Sequence, residues 1–141
     1  MIKALVGGFV GAATLTLLHE YLKKYKFAPR LDKLGEEAAA SGIEALGGDA
    51  PGAAGLYTTS LAADIISNTL YYSSAAAHPT KPVQAGIGLG LLAGIGAVFV
   101  PGEVGLSSAH TAATPSRKWI TVALYTVGGL VAGAVIKRLS K

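Results

Sequence analysis

The sequence predicts an all-α, polytopic integral membrane protein, and three observations predict it. Long stretches are almost free of charge: residues 4–18 and 119–136 carry none, 50–80 hold only Asp64, and 82–116 hold only Glu103. Of the 141 residues, 51% are hydrophobic and 19 are glycine, while 14% are charged, against about a quarter in a soluble domain. Eleven of the twenty charges crowd between Glu20 and Asp49. A soluble domain this small exposes too much surface to leave four long stretches uncharged. About 20 apolar helical residues, rising 1.5 Å each, cross the hydrocarbon core of a bilayer. The reading is a single transmembrane domain over residues 1–141, with about four transmembrane helices in a glycine-packed bundle.

The first span is placed at about 2–20 and ends at the aromatic and basic border Tyr21-Leu22-Lys23-Lys24-Tyr25, a composition suited to the headgroup region. Lys3 before an apolar run resembles the start of a signal peptide, but Leu17-Leu18-His19-Glu20 offers no small-x-small cleavage site, so retention is expected. The extramembrane connection, about 23–52, opens basic and turns acidic. Leu31, Leu34, Ala38 and Leu46 recur at roughly helical spacing after Pro29, which predicts a short helix. It either lies on the membrane surface or serves as a solvated linker. Gly47-Gly48-Asp49-Ala50-Pro51-Gly52 closes it as a turn.

The second span, about 53–77, is the most polar. The third, about 83–100, has only Gln84 as a polar residue. The short connection His78-Pro79-Thr80-Lys81-Pro82 predicts that these two are antiparallel neighbours. Pro101-Gly102 is expected to break the third helix, leaving a connection of small and hydroxylated residues. The fourth span, about 119–137, is bracketed by Arg117-Lys118 and Lys137-Arg138. Four spans put both ends of the chain on one side. Basic residues number seven in the first and third connections against five on the other side plus the amino terminus, a margin too small to set orientation.

Burying Leu against Leu gains little in lipid, so helices associate through close contact and interhelical hydrogen bonds. Gly86, Gly90 and Gly94 recur every four residues, as do Gly7 with Gly11 and Gly129 with Gly133. These are the expected packing positions, within one chain or between copies.

The second span carries a polar stripe: Tyr57, Ser60, Asp64, Ser67, Asn68 and Tyr71 fall along one side of a helix. A carboxylate in mid-bilayer costs a few kcal/mol and normally faces protein, water or a partner. Asp64 is therefore either a proton or cation site, or part of interhelical hydrogen-bonding glue. His19, Glu20, Arg30 and Asp32 form an interfacial polar set. As neighbours on a helix, His19 and Glu20 point about 100° apart and make no metal pair by themselves.

No catalytic constellation, cofactor or metal site is read from the chain. Cysteine is absent and HExxH does not occur, so zinc and iron–sulfur sites find no support, and nothing recommends haem ligation by His19. Gly86-x-Gly88-x-Gly90 lies inside an apolar run rather than after a strand, so it is no nucleotide loop. The net charge of +4 needs no nucleic acid, because basic residues flank spans anyway. The expected partners are the lipid bilayer and either a second copy, as a homo-oligomer, or other membrane subunits. The leading expectation is a non-enzymatic structural or accessory subunit in a membrane of the bacterial inner type. The alternatives are a small proton- or cation-coupled transporter or channel using Asp64, and, less favoured, an intramembrane enzyme acting on lipid through His19, Glu20, Arg30, Asp32 and Asp64.

Overall fold

The computed structural model describes residues 1–141 and is entirely helical. In chain order, α1 covers Ile2–Leu22, α2 Leu31–Ala45, α3 Ala53–Ser73, α4 Pro82–Glu103, α5 Ala109–Ala112 and α6 Pro115–Leu139; a 3-10 turn, Ser74–Ala77, extends α3. Three of these, α1, α4 and α6, are long and apolar enough to cross a membrane. The polar residues of α3 keep it out of that group, although its 21 residues give it a length of about 30 Å.

Helix α6 lies between α1 and α4, and α3 packs on the other flank of α1. Gly7 faces Ile136 and Gly11 faces Gly128, so α1 and α6 run antiparallel. Gly86 faces Gly129, Gly90 faces Tyr125 and Gly94 faces Val122, so α4 and α6 do likewise. A Cβ added at Gly86 would overlap the Gly129 carbonyl, and one at Gly133 would overlap that of Pro82. Gly8, a position not singled out by spacing, meets Thr69 and Ser73 of α3. The small buried core is built from Leu15, Tyr72, Leu124 and Ala132.

The short connection does not make α3 and α4 close neighbours. The two touch only sparsely, because α4 packs its glycine face on α6 while α3 packs on α1 and α2. The expected break at Pro101-Gly102 is also displaced. Helix α4 continues to Glu103, with Pro101 buried in its last turn. Proline has no amide proton, so the Ala97 carbonyl four residues earlier loses its helical donor. The Thr111 hydroxyl, fully buried, donates to that carbonyl at 2.7 Å. The single-turn helix α5 is thereby pinned back onto α4.

Helix α6 starts as expected of a Pro at its first position, with the Thr114 hydroxyl accepting from the Arg117 amide at 3.2 Å. Helix α2 buries no residue and crosses the end of the bundle where α1 finishes and α3 begins. There the first and third connections meet: the Arg30 amide donates to the His110 carbonyl at 2.9 Å, and the Ser107 amide donates to Glu37 Oε1 at 3.0 Å.

Candidate functional site: a polar cavity under the second helix

The antiparallel pairing of α1 with α3, covered by α2, encloses a narrow cavity of about 30 Å³, room for a water or two. Helix α1 contributes Leu15, Thr16, His19 and Glu20; α2 contributes Leu31, Asp32 and Gly35; α3 contributes Tyr57, Ser60, Leu61 and Asp64. The structure thus brings two separate sequence features to one place: three members of the α3 stripe and three of the four interfacial residues.

His19 is the pivot. Its side chain is 6% exposed, and its Nε2 accepts a hydrogen bond from the Leu31 amide at 3.1 Å. An imidazolium has no acceptor, so this bond requires a neutral ring protonated at Nδ1. Asp32 Oδ1 lies 3.6 Å from Nε2 and Glu20 Oε1 lies 3.7 Å from Nδ1. Neither contact is a hydrogen bond at that range.

Asp32 belongs first to Arg30, whose Nε and Nη2 donate to its two carboxylate oxygens at 2.9 and 2.6 Å. Burial alone would raise the Asp32 pKa, but the Arg30 hydrogen bonds and charge outweigh it and hold the carboxyl down at about 2. The same hydrogen bond raises Arg30. Arg30 itself stays outside the cavity lining. Lys23 is raised through its hydrogen bond with Glu20, to which it sits at 2.6 Å, and its ammonium also lies 5.1 Å from the Tyr57 ring.

On α3 the stripe divides. Asp64 Oδ1 accepts from the Asn68 amide at 2.9 Å, and Ser60 and Asn68 are buried. Ser67 is exposed and donates only to the Asp64 carbonyl at 3.1 Å. Tyr71 turns to α4, donating to the Leu89 carbonyl at 3.0 Å. Ser67, Asn68 and Tyr71 line a wide groove with Leu92 and Ala93 of α4 instead.

Spacing did not mark Tyr72, which is fully buried and donates to the Tyr125 carbonyl of α6 at 2.8 Å. Nor did it mark Thr16, whose buried hydroxyl lines the cavity without a hydrogen-bond partner, or the 3.2 Å approach of His110 Nε2 to Glu37 Oε2. A hydroxyl three residues before His19, or an acid on one helix facing a histidine on another, is too common a pattern to find in one sequence. No group of three His, Asp or Glu side chains is arranged to hold a metal ion. Compared with protein-family models, curated proteins and solved structures, the chain matches none.

Proposed function

We propose that the chain is a small integral membrane protein that spans the bilayer four times and serves as a non-enzymatic subunit of a membrane assembly. The fourth span is α3. It runs antiparallel beside α1 along the full length of that helix, from Lys23 near Tyr57 at one end to Ser73 donating to the Ala4 carbonyl at the other. A helix tied to a spanning neighbour at both ends crosses with it. Helix α2 then lies at the membrane surface, and the glycine faces of α1, α4 and α6 hold the bundle together.

The observation that carries the subunit reading is the unfilled seam between α3 and α4. It forms a groove of about 430 Å³ in which exposed Ser67 sits beside exposed Leu92. A hydroxyl facing hydrocarbon gains from a hydrogen-bonding neighbour helix, supplied by a second copy or another subunit. Cysteine is absent from the chain, so Ser67→Cys and Leu92→Cys give clean crosslinking sites in native membranes. Specific crosslinked species are expected at both. A solitary monomer at both positions, in lipid as in mild detergent, removes this reading.

A second reading rests on the cavity. A water-sized polar space joining His19 at the surface end to Asp64 within α3 supports a route for protons or small cations. Flux into proteoliposomes, abolished by Asp64→Asn without loss of folding, is its test. Equal flux in the two proteins defeats it.

A further inference from the structure

The two ends of the bundle carry different fields. At the α2 end, seven basic residues (Lys23, Lys24, Lys26, Arg30, Lys33, Arg117, Lys118) meet seven of the eight acidic ones, Asp64 being the eighth. Many are neutralised locally, as in Lys23–Glu20, Arg30–Asp32 and Lys33–Glu36. The opposite end gathers Lys3, Lys81, Lys137, Arg138 and Lys141, all exposed and none in an ion pair, because the start of α1 and the start of α4 both lie against the last turns of α6. Not one acidic side chain of these 141 residues is there.

Helix dipoles do not account for this placement. Lys137 and Arg138 sit favourably at the C-terminus of α6, but Lys81 precedes the N-terminus of α4 and Lys3 lies in the first turn of α1, where the dipole disfavours a cation. Neither N-terminus has a side-chain cap, so backbone amides there are free for an anion. Anchoring differs as well. The exposed aromatic residues suited to a headgroup belt, Tyr21, Tyr25, Phe27 and Trp119, all belong to the α2 end.

We infer that the end bearing Lys3, Lys81, Lys137 and Arg138 is a docking surface for anionic lipid headgroups, whose phosphates sit between the uncapped N-terminus of α4 and the cations at the end of α6. The inference rests on the membrane-spanning reading, though not on any subunit or transport role. An unneutralised cation cluster at a bilayer surface attracts acidic lipids, with each Lys or Arg worth about a fivefold change in local partition at low salt. The α2 end, with equal numbers of charges of each sign, has no comparable pull. Its aromatic side chains hold it at the interface regardless of headgroup charge.

The two ends of α4 offer matched reporters, Thr80→Cys and Gly102→Cys, both exposed positions in a chain without native cysteine. Each is labelled with a fluorophore and reconstituted in phosphatidylcholine containing a small fraction of brominated lipid, either phosphatidylglycerol or phosphatidylcholine. Quenching by the anionic lipid should exceed quenching by the neutral one at residue 80, by about threefold or more at low salt, and should be equal at residue 102. Raising salt to about 1 M, where the Debye length is about 3 Å, should remove the excess. So should K137Q with R138Q, whereas K137R should retain it. Equal quenching at both ends, or an excess confined to residue 102, overturns the inference. Failure of either label to be quenched by any lipid refutes instead the bilayer-spanning reading beneath it.

Discussion

The Nε2 of His19 accepts the first amide of α2, Leu31, at 3.1 Å, so the last turn of α1 supplies a cap that α2 lacks of its own. The residue in the capping position, Arg30, makes no side-chain bond to the helix N-terminus, its guanidinium being committed to Asp32. A helix that buries none of its own residues depends on such a tie, because little packing replaces it.

His19→Phe keeps the ring volume and deletes the acceptor. The orphaned Leu31 amide is expected to cost about 1–2 kcal/mol, felt chiefly as faster hydrogen exchange across Leu31–Ala45. His19→Gln, which keeps an acceptor on a flexible stem, should recover part of the protection. Unchanged exchange in His19→Phe would show that the tie contributes nothing.

Acid should loosen the same corner by another route. Asp32 titrates at about 2 in the folded protein and near 4 in an unfolded chain. Its ion pair therefore adds stability that is complete above about pH 4 and fades as pH falls toward 2. Water at the flank of Arg30, whose side chain is 36% exposed, limits this to about 1 kcal/mol. Thermal melts of the native protein and of Asp32→Asn should differ at pH 6 and converge near pH 2. A constant gap would mean that the Arg30 pair carries no pH dependence.

Gly90 and Gly88 stand two residues apart on α4 and predict opposite results. A Cβ at Gly90 would meet the backbone of Tyr125 and Thr126, whereas one at Gly88 meets nothing within 4 Å. Gly90→Ala should separate α4 from α6 at a cost of about 1–3 kcal/mol, and Gly90→Leu should cost more. Gly88→Ala should be neutral or stabilising by up to about 1 kcal/mol through helix propensity. Unfolding in a graded detergent mixture ranks the three; equal loss at both positions would contradict the packing.

Thr111→Val is the sharpest test of how α4 passes through Pro101. Valine matches the shape of threonine but leaves the Ala97 carbonyl with no donor, since proline supplies none. A loss of about 1–3 kcal/mol is expected. Restoring the helical donor with Pro101→Ala in the same chain should recover most of it, and non-additivity in that double-mutant cycle is the measurement.

Helices α1, α4 and α6 were legible in the sequence because an apolar solvent demands both an uncharged run and an internally bonded backbone. The helical spacing after Pro29 likewise pointed to α2. What the sequence hid was the order of packing. A short loop argued for α3 beside α4, but the surface each helix offers overrules the loop, since α4 can approach another backbone closely only along its glycine face. Pro101 misled for a similar reason: the residue that repairs its missing bond is ten positions further on, in a different element. For the cavity, the residue types at His19 and Asp64 were noticed separately. Their convergence depends on α1 and α3 lying antiparallel with α2 across them, a relationship between residues forty-five positions apart that no local spacing encodes.

The central position of α6 also has a consequence for biogenesis. Helices α1 and α4 leave the ribosome well before the element that fills the gap between them. Until α6 is released into the bilayer, both earlier helices present the glycine surfaces that it covers to lipid or to any passing chaperone. A nascent chain stalled before Pro115 would be a set of unmated halves, and productive assembly has to wait for the synthesis of α6.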